Sequence, residues 1–307
     1  MHDSTLEEML MPPEVSSSED LHQWAPPISD QHGFVTSADG TALFFRHWPA
    51  ENWNGRVVIV LHGIGYHGGP YKVIADALNP AGTDVYGLDA RGHGLSQGRR
   101  GFLATPGQVV ADMTAMLQSV QRQRPEARIF LLGDSMGADL ALCYAKDHSD
   151  QLAGLLLLAP ALNLHLSQYL SSESMRLFPN LLFSIRKPVI NLVNSRLEES
   201  SRDAAFIARR RADPLAYKNV SFGYLIDAQR LVWDWRWAIA PKVSAPMLII
   251  KGGSDRVVSH GQCVSFYRRS AARDKRIEVF PDMRHTTLWD PQSNEVLKLI
   301  GDWVLEH

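Results

Sequence analysis

Short, uninterrupted apolar runs alternate with helical patterns along most of this chain, and this alternation constrains the fold more than any other feature. The runs are RVVIVLHG, DVYGLDARG, RIFLLGDS and LAGLLLLAP, and helical patterns over about 70–79, 106–123 and 136–148 separate them. Such runs are typical of strands that helices bury on both faces. The sequence therefore predicts an α/β fold with repeated strand–helix units and a mostly parallel sheet.

The same pattern returns near the end of the chain after a long interruption. Residues 161–240 contain no comparable strand and have helical periodicity broken by prolines, which predicts an inserted helical cap. The sheet pattern resumes with PMLIIKGGSD, a helix over about 260–271, RIEVFPDMRH and a helix over about 292–305. Because Asp39 and Gly40 also predict a hairpin turn before the first run, we expect eight strands in all.

These patterns divide the chain into three parts. We expect residues 31–160 and 241–307 to form the core and residues 161–240 to form the cap. Residues 1–30 are rich in serine, proline and acidic residues, which predicts a loosely held N-terminal arm. With 307 residues and 45% hydrophobic content, the chain is long enough to bury a core of this size.

Charge and cysteine content argue against several classes of function. The formal net charge of −2 implies neither a nucleic acid nor an anionic membrane as partner. Cys143 and Cys263 lack the spacing of zinc ligands or of a C-x-x-C pair, so we expect both to be buried. The acidic N-terminus does not resemble a signal peptide, and no apolar run is long enough for a transmembrane helix. We therefore expect a cytoplasmic protein.

Two serines lie in a Gly-x-Ser-x-Gly pattern, the spacing that places a nucleophilic serine on a strained turn between a strand and a helix. Ser135 follows the apolar run RIFLL and precedes MGADLALCYAKDH, which is a good helix pattern. Ser96 is followed by QGRRGFLATPG, which cannot begin a helix at once. Ser135 alone meets the structural requirements, so we expect it to be the nucleophile.

A serine hydroxyl needs a histidine as its base near neutral pH, and that imidazole needs an acid to orient it. Asp255 follows MLIIKGGS and His285 follows RIEVFPDMR, so both lie after strands in the chain order serine, acid, histidine. Asp282 lies only three residues before His285, and Asp274 precedes its strand, which disfavours both as the acid. The sequence predicts a triad of Ser135, Asp255 and His285.

Two backbone N–H groups must also bind the oxyanion that forms during acyl transfer. We expect one from Met136, directly after the nucleophile, and one from the glycine-rich loop HGIGYHGG, where Ile64 is the favoured donor. His62 in this loop is expected to be structural, because it follows the wrong strand for a general base.

Six segments, taken in order, resemble the monoacylglycerol lipase and lysophospholipase-like branch of the α/β-hydrolases, a family of serine aminopeptidase S33 type. They are LHGIGYHGGPY, LDARGHGLSQGRRG, GDSMGA, the DPL at 213–215, GGSDRVV and RHTTLWD. The resemblance covers roughly residues 33–305. It implies the α/β-hydrolase fold with a cap, ester hydrolysis through an acyl-enzyme, the triad and oxyanion donors named above, and no metal or organic cofactor. It also implies that residues 91–101, around Ser96, form a structural loop.

Two positions depart from the pattern of that family. Its members commonly have histidine before the nucleophile and glutamate at the third position after the HGxG start, where this chain has Asp134 and Tyr66. A carboxylate beside the nucleophile is expected to disfavour anionic substrates. The alternative is that Asp134 pairs with a nearby cation or water.

The insertion predicts a hydrophobic pocket. The stretch MRLFPNLLFSIRKPVINLV has more apolar residues than one buried helix stripe needs, so some are expected at the pocket mouth and others in packing onto the core. Trp233 and Trp237 share one helix face, and Trp235 joins Leu231 on another, so we expect one face to pack inward. The run Arg209–Arg211 is expected to be a solvated helix end rather than an anion site.

These features predict a serine hydrolase of the carboxylesterase or monoacylglycerol lipase type that cleaves lipophilic carboxylic monoesters. A carboxylesterase for aromatic, phthalate-type or xenobiotic esters uses the same triad and stays open. Amide hydrolysis is less favoured, and acyl transfer would require the site to exclude water. A non-catalytic ligand-binding protein is disfavoured because all three triad residues are present. The expected partner is a small lipophilic ester. Membrane contact through the cap and the oligomeric state stay open.

Overall fold

The computed structural model describes residues 31–162, 188–191 and 197–307. Its strands are β1 (Gln31–Thr36), β2 (Ala42–Trp48), β3 (Arg56–Leu61), β4 (Asp84–Leu88), β5 (Arg128–Asp134), β6 (Gly154–Leu158), β7 (Pro188–Asn191), β8 (Asn219–Ser221), β9 (Met247–Gly252) and β10 (Lys275–Phe280). Eight of these form one sheet in the order β1-β2-β4-β3-β5-β6-β9-β10. β2 is antiparallel to both β1 and β4, and the other neighbours are parallel. The predicted eight-stranded, mostly parallel sheet is confirmed.

Helices connect the strands and cover the sheet. They are α1 (Lys72–Leu78), α2 (Pro106–Gln123), α3 (Met136–His148), α4 (Leu197–Ser200), α5 (Ala204–Ala212), α6 (Phe222–Val232), α7 (His260–Arg269) and α8 (Ser293–Glu306). The start of α2 agrees with the sequence prediction of a helix from about residue 106, and a capping box defines it. Thr105 caps the N–H of Gln108, and the Gln108 side chain accepts from the N–H of Thr105. This reciprocal pair satisfies two N–H groups that a helix start leaves free.

Alternate residues of the central strands enter two separate apolar clusters. In β3, Val57, Ile59 and Leu61 belong to one cluster, whereas Val58 and Val60 belong to the other. Because helices pack on both faces of the sheet, neither set of side chains needs to be polar. This double coverage explains why the strand appears in the sequence as a continuous apolar run.

The register of the parallel strands brings their carboxyl ends to one edge of the sheet. Leu61 at the end of β3 pairs with Gly133 near the end of β5, and Asp134 pairs with Leu158 at the end of β6. The ends of β9 and β10 are likewise in register. The segments that follow these strands therefore emerge together, at the edge where open α/β sheets bind ligands.

The insertion also contains a short sheet, which the helical periodicity of the sequence did not predict. β7 pairs with β8 in antiparallel fashion, with an irregular register between Pro188 and Ile190. Strands of four and three residues are too short to produce a readable alternation of apolar and polar residues. The apolar residues of MRLFPNLLFSIRKPVINLV that precede Pro188, and the arm at 1–30, lie outside the described residues. The limits of core and cap stay a prediction.

Cys143 and Cys263 are buried free thiols, as predicted. Burial raises the pKa of the Cys143 thiol to about 11 and that of Cys263 to about 12, so neither is a reactive thiolate near neutral pH. Within the described ranges, no cluster of three or more histidine, cysteine, aspartate or glutamate residues is arranged to hold a metal ion. No helix in that same part of the chain has the length and apolarity to cross a membrane.

Candidate active site

Ser135 forms a one-residue turn between β5, which ends at Asp134, and α3, which begins at Met136. Its φ of 54° and ψ of −113° form a combination that residues other than glycine rarely adopt. Gly137 permits the tight turn, because a Cβ there would collide with the backbone of Leu61. Strained backbone of this kind persists only where the surrounding packing enforces it. The local geometry is that of a nucleophile elbow, as the sequence predicted.

The structure brings together the three residues of the predicted triad. His285 Nε2 lies 3.0 Å from Ser135 Oγ, and His285 Nδ1 lies 3.0 Å from Asp255 Oδ2. The other oxygen of Asp255 accepts the backbone N–H groups of Val257 at 2.7 Å and Val258 at 3.1 Å. With Nδ1 donating to the carboxylate, Nε2 is free to accept the serine proton.

The electrostatics of these groups suit a general base and its orienting acid. Burial by itself would lower the pKa of His285, but the adjacent Asp255 carboxylate outweighs burial and raises that pKa above the ordinary histidine value. Burial opposes ionisation of Asp255, yet His285 and Lys251 bring the pKa of its carboxyl down to about 2. Asp255 is therefore ionised near neutral pH and stabilises an imidazolium at His285.

Lys251 is a neighbour of Asp255 that the sequence interpretation missed. Its side chain is 1% exposed, and its Nζ lies 3.5 Å from Asp255 Oδ2 and donates to the carbonyl of Val258 at 3.3 Å. These contacts hold the acid-bearing loop against β9. One signal was available, because Lys251 is the only charged residue in the strand MLIIKG and buried lysines need a partner.

Both predicted oxyanion donors lie beside Ser135. Ile64 and Met136 line the same cavity as the serine, and within the described residues neither backbone N–H donates a hydrogen bond. A Cβ on Gly63 would lie 3.8 Å from the Cβ of Ser135, which shows how closely the loop after β3 approaches the elbow. Free N–H groups at such a position suit an oxyanion hole.

His62 is structural, in line with the sequence interpretation. Its Nε2 accepts the backbone N–H of Ala90 at 3.0 Å, and its Nδ1 donates to the carbonyl of Gly63 at 2.8 Å. Burial lowers the pKa of His62 to about 4. The neutral ring joins residues 62–69, called the oxyanion loop below because they include the expected donor Ile64, to the segment after β4.

Asp134, the residue before the nucleophile, pairs with a tyrosine, a partner that the sequence analysis did not consider. The hydroxyl of Tyr71 donates to Asp134 Oδ2 at 2.6 Å and accepts the backbone N–H of Gly63 at 3.0 Å. Burial raises the pKa of Asp134 above the ordinary aspartate value, against the lowering effect of the Tyr71 bond. Tyr71 thus connects the nucleophile elbow to the oxyanion loop.

A cavity of about 110 Å³ opens beside Ser135 and His285. One wall is aromatic: Phe206 stacks on Trp289 with ring centroids 4.8 Å apart, and Tyr66 meets both rings edge-on. Apolar side chains supply most of the remaining lining, namely those of Met136, Leu197, Leu225, Ala228, Val257 and Val258. A small number of polar groups in a mainly apolar pocket is typical of small-molecule sites.

Arg210 corrects the prediction of a solvated arginine run. Arg209 and Arg211 are exposed, but Arg210 is only 8% exposed and lines the cavity. Arg210 lies four residues after Phe206 on α5, so both face inward on one side of that helix. Its Nη2 donates to the carbonyl of Ile64 at 2.7 Å, which attaches the insertion to the oxyanion loop.

Asp213 makes a second contact between the insertion and the oxyanion loop. It is the acid of the DPL segment, and its Oδ2 lies 2.9 Å from Nε2 of His67. Burial by itself would raise the pKa of Asp213. The hydrogen bond with His67 outweighs burial, so the pKa is below the ordinary aspartate value. The DPL segment therefore helps to position the insertion against the loop that contains His67.

The tryptophans after α6 settle which helix face packs inward. Trp235 and Leu231 are buried, whereas Trp233 and Trp237 are 75% and 73% exposed. Trp235 begins a turn of π-helix that ends at Ile239.

Comparison with known proteins supports the fold and the family resemblance. The family model described as serine aminopeptidase, S33, matches residues 54–292. A monoacylglycerol lipase from Mycolicibacterium smegmatis is 26% identical over 90% of this chain and 97% of its own length, and a monoglyceride lipase from Rattus norvegicus is 28% identical over 95% of each.

Solved structures show the same fold. A soluble variant of monoglyceride lipase from Saccharomyces cerevisiae, in complex with a substrate analogue, superposes with a TM-score of 0.76 at 21% identity, over 90% of this chain and 94% of that one. A carboxyl esterase from Bacillus coagulans, in complex with glycerol, gives 0.68 at 21% identity, over 90% and 98%. The α/β-hydrolase fold and the family resemblance inferred from the sequence are confirmed.

Proposed function

Because the chain belongs to the serine aminopeptidase S33 family of α/β-hydrolases, we propose that it is a serine hydrolase that cleaves lipophilic carboxylic monoesters through an acyl-enzyme. Its distant lipase and esterase relatives indicate an ester hydrolase. One observation carries the proposal. The hydrogen-bonded series from Asp255 through His285 to Ser135 ends at a mainly apolar cavity.

In the proposed mechanism, Ser135 Oγ attacks the ester carbonyl while His285 Nε2 accepts the serine proton. The N–H groups of Ile64 and Met136 stabilise the oxyanion, and the imidazolium is stabilised by Asp255. His285 then protonates the leaving alcohol. Water, deprotonated by the same imidazole, hydrolyses the acyl-enzyme and regenerates Ser135.

Two substrate classes fit the lining of the cavity. The aliphatic side chains that line the cavity, among them Leu197 and Leu225, favour an acyl chain of medium length. The wall formed by Tyr66, Phe206 and Trp289 favours aromatic esters, which supports a carboxylesterase for aromatic or phthalate-type esters as the second candidate. Both use the same triad and differ in which part of the ester the aromatic wall contacts.

A fluorophosphonate probe and a series of p-nitrophenyl esters test this proposal. We expect the wild-type protein to react with the probe and Ser135→Ala not to react, because the probe traps an activated serine. We also expect butyrate and octanoate esters to be hydrolysed faster than acetate. Absence of labelling in the wild type, or equal labelling of the variant, would refute the serine mechanism. Activity confined to acetate would refute the lipophilic pocket.

A further inference from the structure

Arg210 is a buried cation without a counter-ion among the described residues. Its guanidinium contacts only neutral groups in this part of the structure: it donates to the carbonyl of Ile64 and lies 3.8 Å from the ring centroid of Tyr66. The two acids closest along the chain have other partners: Asp203 accepts N–H groups at the start of α5, and Asp213 pairs with His67. Buried arginines are almost always paired, because an isolated charge in a protein interior is costly. The missing partner is therefore the feature to explain.

Through Phe206, the helix that carries Arg210 also contacts the loop that carries His285. Phe206, one helical turn before Arg210, stacks on Trp289, which follows His285 by four residues. His285 must protonate the leaving alcohol, so that alcohol lies next to the histidine-bearing loop. We therefore infer that the leaving alcohol lies against Phe206 and Trp289, near Arg210.

The reach of Arg210 limits where an anionic group can be. Its Nη2 is 2.7 Å from the carbonyl oxygen of Ile64, and the N–H of the same residue is a proposed oxyanion donor. The N and O atoms of one residue are about 3 Å apart, and an N–H···O hydrogen bond adds about 3 Å, so Nη2 lies within about 9 Å of the oxyanion. An anionic group a few bonds from the ester oxygen fits this span.

Other titratable groups of the cavity do not supply the missing negative charge at ion-pair distance. Asp134 accepts the Tyr71 hydroxyl, and its burial raises its pKa and so disfavours the charged form. Asp139, on the first turn of α3, also has a pKa raised well above the ordinary value by burial. Asp255 is committed to His285 and Lys251.

We propose that Arg210 binds an anionic group, a carboxylate or phosphate, on the alcohol portion of the substrate and makes the enzyme selective for acidic monoesters. This inference rests on the proposed ester hydrolysis and names its substrate class. It reverses the expectation from Asp134 that anionic substrates are disfavoured. It also gives the stack of Arg210 on Tyr66 a function, because the ring holds the guanidinium in one orientation while leaving donors free.

The test uses two esters that differ only in charge, 3-butanoyloxybenzoate and 3-butanoyloxybenzamide. The wild-type protein is expected to have the higher kcat/KM on the benzoate. In Arg210→Gln, which keeps an N–H donor for Ile64, the ratio of kcat/KM for acid over amide should fall about 30-fold or more. Arg210→Lys should retain part of the preference. Arg209→Gln removes the same charge from the exposed neighbour and should keep the wild-type ratio.

The ratio separates recognition from a purely structural role. If Arg210→Gln slows both esters equally, Arg210 only positions the oxyanion loop and the proposal is wrong. A wild-type preference for the amide also refutes it. A corresponding aryl phosphate, 3-butanoyloxyphenyl phosphate, shows which anion is preferred. Monophenyl succinate and phenyl butanoate place the charge on the acyl side instead. If Arg210→Gln lowers the kcat/KM ratio of this second pair and not of the first, the anion site is on the acyl side and the alcohol-side assignment is wrong.

Failure of the proposed function gives a different result. If the wild type hydrolyses none of these esters, binding of the product acid, 3-hydroxybenzoate, is measured by calorimetry beside 3-hydroxybenzamide. Weaker binding of the acid alone in Arg210→Gln supports the anion site without any catalysis. Equal binding of acid and amide by the wild type refutes it.

Discussion

Ser135 and Ser96 lie in the same Gly-x-Ser-x-Gly pattern but in opposite environments. Ser135 has a positive φ, faces a cavity and contacts His285 at 3.0 Å. Ser96 is fully buried, donates to the carbonyl of Asp89 at 2.5 Å and accepts the N–H of Phe44 at 2.8 Å. The Ser135 hydroxyl is available for chemistry, whereas backbone groups occupy the hydrogen-bonding positions of the Ser96 hydroxyl.

The loop around Ser96 is organised by a buried ion pair. Asp89 contacts Arg46 Nη1 at 2.5 Å and accepts the backbone N–H groups of Gly68 at 2.7 Å and Leu95 at 2.8 Å. Gly94 has a φ of 50°, and a Cβ there would collide with the Asp89 carboxylate. The glycines of the two motifs therefore serve different packing needs. The pattern predicts chemistry only where a strand precedes the serine and a helix follows it at once.

Replacing each serine by alanine should separate the two motifs most strongly. We expect Ser135→Ala to lower kcat/KM about 10⁵-fold, because the proposed nucleophile is lost. Ser96→Ala should keep the wild-type rate per folded molecule, since its hydroxyl faces backbone groups away from the cavity. Steady-state kinetics on p-nitrophenyl butyrate measure both. A large loss of rate in folded Ser96→Ala would break the contrast.

Replacing the acid should give the next largest effect. In Asp255→Asn the imidazole loses the acceptor that sets its tautomer and stabilises its charged form, so we expect kcat to fall about 10⁴-fold. Asp282→Asn, at the exposed acid that the sequence considered, is the matched control and should keep the wild-type kcat. A comparable loss in Asp282→Asn would mean that the wrong acid has been assigned.

The pH dependence of kcat/KM examines the same pair of groups. His285 acts as a base only when neutral, and its pKa is raised, so activity should fall with decreasing pH through a midpoint above the ordinary histidine value of 6.5. In Asp255→Asn the raising contact is gone while burial remains, so the residual activity should show an acid limb at lower pH. If the acid limb of Asp255→Asn has the same midpoint as that of the wild type, a group other than His285 controls the fall in activity.

Unfolding measurements should show the opposite order of the two serines. Ser96→Ala leaves the N–H of Phe44 without its buried acceptor, and we expect the free energy of unfolding to fall by about 1–3 kcal/mol. Ser135→Ala leaves no described backbone group unpaired, and its loss should be smaller. Urea unfolding followed by fluorescence measures both changes. Equal stability of Ser96→Ala and the wild type would contradict the structural role.

Glycine substitutions should reveal the strain, with the smallest effect. Glycine adopts the backbone conformation of Ser135 without steric cost, so Ser135→Gly should be about 1 kcal/mol more stable than Ser135→Ala. Ser96 does not have a positive φ, so Ser96→Gly should be no more stable than Ser96→Ala. The same urea experiment compares the four variants. If Ser135→Gly is the less stable of its pair, the elbow is not strained.

The triad residues were predictable because each is tied to the end of a strand. A buried run followed by Gly-x-Ser-x-Gly marks Ser135, and Asp255 and His285 follow later runs in the order typical of the fold. Parallel strands in register bring such ends to one edge, so local patterns are sufficient to nominate the site. Lys251 and the Tyr71–Asp134 pair were not predicted, since their partners come from other segments of the chain.

The sequence by itself determined the sheet, the choice between the two serines and the residues of the candidate triad, because strand length, apolar runs and helix starts are local properties. Only the tertiary structure decided which arginine of the run Arg209–Arg211 is buried and which tryptophan face packs inward. Arg210 and Ile64 are 146 residues apart in the chain. The environment of a charge depends on such distant contacts, and neither composition nor periodicity encodes them.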